Sequence, residues 1–260
     1  MIGIKVCGIT TREDALFISR GGVNALGFIF YEKSPRFISV DRARSISAEL
    51  PDSIARVGVF VNAPVESVRQ TAADCRLTMI QLHGDESPAY CRDISFLPVI
   101  KAIAPDGGMD RDTLNRYRVH AFLVDAKDAQ RRGGTGKTAD WNTAAVLARQ
   151  YPLILSGGLN PGNILDALHA VSPRAVDINS GVEDSPGKKN HDRISEIVAL
   201  IRATERNSGE TETTLFHGNT RLSPGDHRHG RDSQTDDIEG NNDPPGNTTT
   251  AKGNHDENTS

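Results

Sequence analysis

Eight short runs rich in β-branched or aromatic residues alternate with amphipathic segments through residue 204. Glycine-rich turns follow the last two runs, and the first is followed by Cys-Gly-Ile-Thr instead of a dinucleotide-binding glycine loop. These three observations predict an α/β chain folded as a (β/α)8 TIM barrel. A doubly wound sheet would show five or six strands and commonly a glycine fingerprint after the first.

The strand candidates are 2–6, 25–30, 56–61, 79–82, 98–103, 121–124, 153–155 and 175–178. Several are apolar at consecutive positions, as parallel strands covered on both faces are. Thr10 or Thr11 opens the first helix, with Glu13 and Asp14 placed against the positive end of its dipole. Pro64 opens VESVRQTAA, Asp140 precedes WNTAAVLARQ and Pro161 starts GNILDALHA. Proline costs nothing at a first helical position, where its missing N–H has no intrahelical partner. The last helix is expected from about His191 to Ala203.

After Arg206 the composition changes. The remaining 54 residues hold five apolar ones, Leu215, Phe216, Leu222, Ile238 and Ala251, among Asn, Thr, Gly, Asp and Ser. Such a stretch buries too little apolar surface to offset roughly 1–2 kcal/mol of ordering entropy per residue. The expected organisation is a barrel over 1–206 and a disordered, low-complexity acidic tail over 207–260. The tail carries 10 acidic and 4 basic residues, which leaves 24 acidic and 26 basic in the body. A body so near neutrality gives no reason to expect nucleic-acid binding. His227 and His229 in the tail are read as non-ligating.

No apolar run reaches the roughly 18 residues a membrane span needs, and the N-terminus lacks a signal peptide's basic and apolar regions, so a cytoplasmic protein is expected. Cys7, Cys75 and Cys91 show no CxxC spacing, so neither a disulfide framework nor a zinc cluster is supported. Cys75 and Cys91 are read as small buried hydrophobes.

Barrel enzymes place their chemistry at the C-terminal ends of strands. That filter selects Cys7, Ser34 to Arg36, His83 with Asp85, Asp125, the GGTGK loop, Ser156 with Gly157 and Gly158, and Asp177 through Gly181, including Ser180. The glycine turns after strands seven and eight suit a phosphate, because their backbone N–H groups can approach an anion closely. GGTGKT at 133–138 is no nucleotide P-loop, since the first glycine of that pattern would fall on Arg131. It is read instead as a loop of the kind that serves barrels as a lid. Cys7 and Asp125 end strands one and six. A thiolate base and a carboxylic acid facing one mouth can move two protons on one sugar phosphate, with no metal or organic cofactor. Taken singly, a packed cysteine and a capping aspartate explain these positions equally well.

The chain resembles the phosphoribosylanthranilate isomerase family through KVCGIT (5–10), ALGFIF (25–30), SPRFIS (34–39) and VGVFVN (57–62). The likeness continues in QLHGDE (81–86), FLVDA (122–126), GGTGK (133–137), SGGLNP (156–161) and SGVE (180–183). It covers about Ile4 to Ile201. The resemblance implies an Amadori rearrangement of a phosphorylated small molecule in tryptophan biosynthesis. It places the base on Cys7, the acid on Asp125 and the anthranilate carboxylate beside Arg36, whose fork can bind both oxygens. The phosphate falls to the glycines of SGGL and SGVE, and His83 and Asp177 take supporting roles. It implies no cofactor and a monomer or homodimer. Three features depart from the family pattern: Asn179 where a serine is usual, Ala139 where phenylalanine is usual, and the tail.

Other enzymes on sugar-phosphate barrels fit less well. The histidine-pathway isomerase would carry an aspartate near the end of strand one, and indoleglycerol phosphate synthase a lysine there. A non-catalytic phosphate-binding scaffold would need none of Cys7, Arg36 and Asp125.

Overall fold

The computed structural model describes residues 1–104, 111–125, 138–206 and 214–216. Eight parallel strands close a barrel in sequence order: β1 (Gly3–Cys7), β2 (Ala25–Ile29), β3 (Ala55–Phe60), β4 (Met79–Leu82), β5 (Val99–Ile103), β6 (Ala121–Asp125), β7 (Leu153–Ser156) and β8 (Ala175–Ile178). Closure is made by β1 against β8, with Gly3 opposite Ala175 and Lys5 opposite Asp177. The helices are α1 (Arg12–Arg20), α2 (Val40–Ala48), α3 (Val65–Asp74), α4 (Pro88–Asp93), α5 (Arg111–Asn115), α6 (Thr138–Ala148), α7 (Ile164–Val171) and α8 (His191–Arg206). A hairpin of β9 (Glu183–Ser185) and β10 (Lys188–Lys189) lies between β8 and α8.

Local chemistry sets the element ends. The Thr11 side chain accepts from Asp14 N at 3.1 Å to cap α1. Ser87 caps α4, which carries Pro88 at its start. Pro64 opens α3 as expected. Two starts differ from the sequence reading. The α6 helix begins at Thr138, ahead of Asp140, and α7 begins at Ile164, because 161–163 form a turn held by Asn160 and Asn163. The α8 helix runs three residues beyond Ala203.

Side chains alternate across each strand. On β1, Ile4 and Val6 join Leu26, Phe28, Leu155 and Ile178 in a core shared with the helices. Lys5 and Cys7, with Gly3, take the other face and point inside the barrel, where β8 answers with Ala175 and Asp177. A second core fills the interior, built from Val57, Met79, Ile100, Leu123 and Ile154 over small residues at Ala25, Ala55, Ala121 and Ala175.

The floor of that inner core includes residues from beyond the last helix. Of 207–260, only 214–216 lie among the described residues, and they pack on the barrel. Phe216 is 4% exposed and fills the space left by the alanines, with its ring against Gly3. The backbone oxygen of Leu215 accepts from His120 Nε2 at 2.8 Å. The only adjacent apolar pair in the tail thus closes the N-terminal end, so the barrel's own material reaches past Arg206. Residues 217–260, with His227 and His229, lie outside the described residues, as do GGTGK and the side chain of Ala139.

Candidate active site

The C-terminal ends of β1, β4, β6 and β8 bring Cys7, His83, Asp125 and Asp177 to one mouth. Lys5 Nζ donates to Asp177 Oδ2 at 2.8 Å, both groups buried. Cys7, also buried, follows two residues later on the same face. Burial pushes its thiol upward, and Lys5 beside it pulls back down. Cys75 and Cys91 are buried as well, and burial raises both thiols to about 11. Cys7 differs from them in its place at the end of β1, on the strand face that Lys5 shares.

His83 follows β4. Gln81 Nε2 donates to its Nδ1 at 3.1 Å, which puts the ring proton on Nε2. Burial holds the imidazole below its ordinary value, while Asp125 and Asp177 both pull the other way. One neutral ring therefore lies within electrostatic reach of the carboxylates that end β6 and β8. Asp177 Oδ1, opposite the oxygen that holds Lys5, is buried without a hydrogen-bond partner. An orphaned buried acceptor costs roughly 1–3 kcal/mol unless something arrives to donate to it.

Arg36 lies over Gly8, where a side chain would meet its Cδ at 2.7 Å. Its Nε reaches Glu183 Oε1 and Oε2 at 2.9 and 3.0 Å, and its Nη2 reaches Oε2 at 2.6 Å. Lys189 Nζ donates to the same carboxylate at 2.8 Å and to Asn179 Oδ1 at 3.0 Å. The paired cations hold the Glu183 carboxyl below the usual range despite its burial. Asn179, a departure from the family pattern, thus anchors a lysine here.

The two glycine turns abut. Gly157 and Gly158 take φ of 101° and 70°, a region that glycine alone enters without cost. Asn160 and Asn163 donate to Gly158 O at 3.0 and 3.1 Å and fix the turn. At Gly181, a Cβ would lie 1.9 Å from Leu159 O, so only glycine allows this approach. Ser180 and Gly181 sit in a 3-10 turn, Ser180–Val182.

The structure therefore gathers Cys7, His83, Asp125, Asp177 and Arg36 around the mouth, with the two turns beside them. Sequence reasoning passed over Lys5, Glu183 and Lys189. Their signal was present: a charged residue inside an apolar strand or turn needs a buried partner, and Lys5 shares the face of Cys7 by simple alternation.

Comparison with known proteins converges on one family. The family model described as N-(5'phosphoribosyl)anthranilate (PRA) isomerase matches residues 4–199. The N-(5'-phosphoribosyl)anthranilate isomerase of Syntrophus aciditrophicus is 46% identical over 202 residues, covering 78% of this chain and 88% of that one. The crystal structure of the Thermotoga maritima enzyme superposes with a TM-score of 0.69 at 42% identity, covering 78% of this chain and all of that one. A phosphoribosyl anthranilate isomerase in complex with reduced 1-(o-carboxyphenylamino)-1-deoxyribulose 5-phosphate superposes at 0.67 with 39% identity and the same coverage. By this match and the mouth it accompanies, the chain belongs to the phosphoribosylanthranilate isomerase family.

Proposed function

We propose that this mouth carries the family's reaction with Cys7 as general base and Asp125 as general acid. The chain is an isomerase of tryptophan biosynthesis, converting N-(5'-phosphoribosyl)anthranilate to 1-(2-carboxyphenylamino)-1-deoxyribulose 5-phosphate. The observation that carries the assignment is one electrostatically connected group: Cys7 with Lys5 and Asp177, and His83 with Asp177 and Asp125.

Asp125 donates a proton to the furanose ring oxygen. The C1–O bond breaks, and the anilino nitrogen lone pair forms a C1=N iminium. That cation acidifies the C2–H bond. The Cys7 thiolate takes the C2 proton, and the released electron pair forms C1=C2 while the nitrogen regains its lone pair. The enolamine then takes a proton at C1 and loses one from the C2 hydroxyl, giving the ketone. Substrate and product are isomers, so protons taken and returned cancel. Each proton transfer by a placed side chain contributes on the order of 10²–10⁴-fold.

The remaining roles are those the family resemblance implies, and the geometry supports them. Arg36, oriented by Glu183, faces the anthranilate carboxylate. The Gly157, Gly158, Ser180 and Gly181 turns take the phosphate through backbone N–H groups and the serine hydroxyl. Asp177 Oδ1 and the Nε2–H of His83 are an acceptor and a donor for sugar hydroxyls. Complementation of a tryptophan auxotroph tests the assignment: the unaltered chain supports growth, whereas Cys7→Ala and Asp125→Ala do not at equal soluble expression. Growth with either variant overturns the assigned role of that residue.

A further inference from the structure

We propose that Lys5 is a positioning residue for the Cys7 base: its ammonium, pinned by Asp177, lies beside Sγ and holds the thiolate as it forms. The inference rests on the reading of Cys7 as the base.

A thiolate inside a barrel is expensive, and the mouth needs a cation close to it. Lys5 is wholly buried and its Nζ is fixed by Asp177 Oδ2 at 2.8 Å. Register places Cys7 opposite Gly27 on β2. A side chain at Gly27 would meet Cys7 Sγ at 2.7 Å and Lys5 Nζ at 3.1 Å, so sulfur and ammonium occupy the one space that this glycine vacates. Asp177 spends one oxygen on Lys5 and keeps the other unpartnered, so it steers the ammonium without enclosing it. A buried ion pair contributes little net stability compared with apolar residues of the same size. Structure alone thus gives a poor reason for a lysine here, while a nascent thiolate gives a good one. Electrostatics agree: of the charges acting on the thiol, Lys5 is the strongest in favour of the anion, and Asp177 opposes it. The other charged neighbours of Cys7 are Lys189 on β10 and Arg36 after β2; His83 after β4 is within electrostatic reach of Lys5, Asp177 and Asp125.

The test uses the full chain with Cys75→Ala and Cys91→Ala as background, so that Cys7 is the only thiol. The pH dependence of inactivation by iodoacetamide is measured together with kcat and KM for N-(5'-phosphoribosyl)anthranilate. Lys5→Met is expected to move the inflection of inactivation about 1–3 pH units upward, the range a close opposite charge accounts for. It is also expected to lower kcat about 10- to 1,000-fold with KM within roughly threefold, as loss of a group acting through the base should. If that variant fails to fold, Lys5→Met with Asp177→Asn removes both buried charges and is expected to shift the inflection upward by less. An inflection unmoved in the folded variant overturns the proposal and leaves Lys5 a structural ion. Cys7→Ala separates the two levels: if it stays active the base assignment falls, whereas an inactive Cys7→Ala with an unmoved Lys5→Met profile sinks only the role of Lys5.

Discussion

The two ends of the barrel interior are built by opposite rules. At the floor, Ala25, Ala55, Ala121 and Ala175 face one another, and Phe216 is laid across them by a segment that follows the last helix. At the mouth, β1 and β6 end in Cys7 and Asp125 and β8 carries Asp177, with Lys5 beneath and His83 just beyond β4. The floor is lined by apolar side chains matched in shape. The mouth holds charges at close quarters and leaves an acceptor on Asp177 open. Within one strand, moving two residues along the chain exchanges a stability position for a reaction position.

The division is broken most severely at the mouth. Asp125→Asn removes the proposed acid without changing size, so kcat should fall about 10³–10⁴-fold, or roughly 4–5.5 kcal/mol of transition-state stabilisation. Urea unfolding should move little; a large loss of stability would mean that the carboxylate holds the fold. The floor should behave in the converse way. Phe216→Ala should cost about 3 kcal/mol and lower Tm on the order of 10 °C, with kcat/KM unchanged at 25 °C. A calorimetric scan beside a steady-state assay reads both, and an activity loss at full folding would tie the two ends together.

A smaller effect concerns pH. Burial depresses the His83 pKa, so the unfolded chain binds this proton more readily than the folded one. Stability should therefore be unaffected by His83 above its ordinary value of about 6.5. Below that it should decline by up to about 1.4 kcal/mol per pH unit, until the folded pKa is reached. Urea midpoints at pH 7.5 and 5.5 should diverge more in the unaltered chain than in His83→Gln. Equal divergence would show that the ring is protonated in the fold. Smallest of all is the predicted effect of truncation after Leu222, within about 0.5 kcal/mol. Truncation after Arg206 should instead match the loss expected for Phe216→Ala.

The barrel was legible because its signal is repeated: eight apolar runs, with amphipathic segments between them, report the same architecture. The mouth was legible because strand ends can be located from those runs, and Cys7, His83, Asp125 and Asp177 are polar at those ends. What escaped was long-range pairing. Nothing in KVCGIT says that its lysine reaches a carboxylate 172 residues away. The SGVE motif likewise does not announce that its glutamate orients Arg36 and holds Lys189. The Leu215–Phe216 pair looked like residue noise in a polar stretch, since composition averaged over 54 positions hides one buried ring.

The account stands most directly on ligand binding without turnover. Calorimetric titration of Cys7→Ala with reduced 1-(o-carboxyphenylamino)-1-deoxyribulose 5-phosphate should give a Kd within about threefold of the unaltered chain, while isomerisation falls on the order of 10³-fold or more. Turnover persisting within tenfold, with the ligand bound equally well, would mean that the proton at C2 leaves by another route and that the sulfur is a bystander.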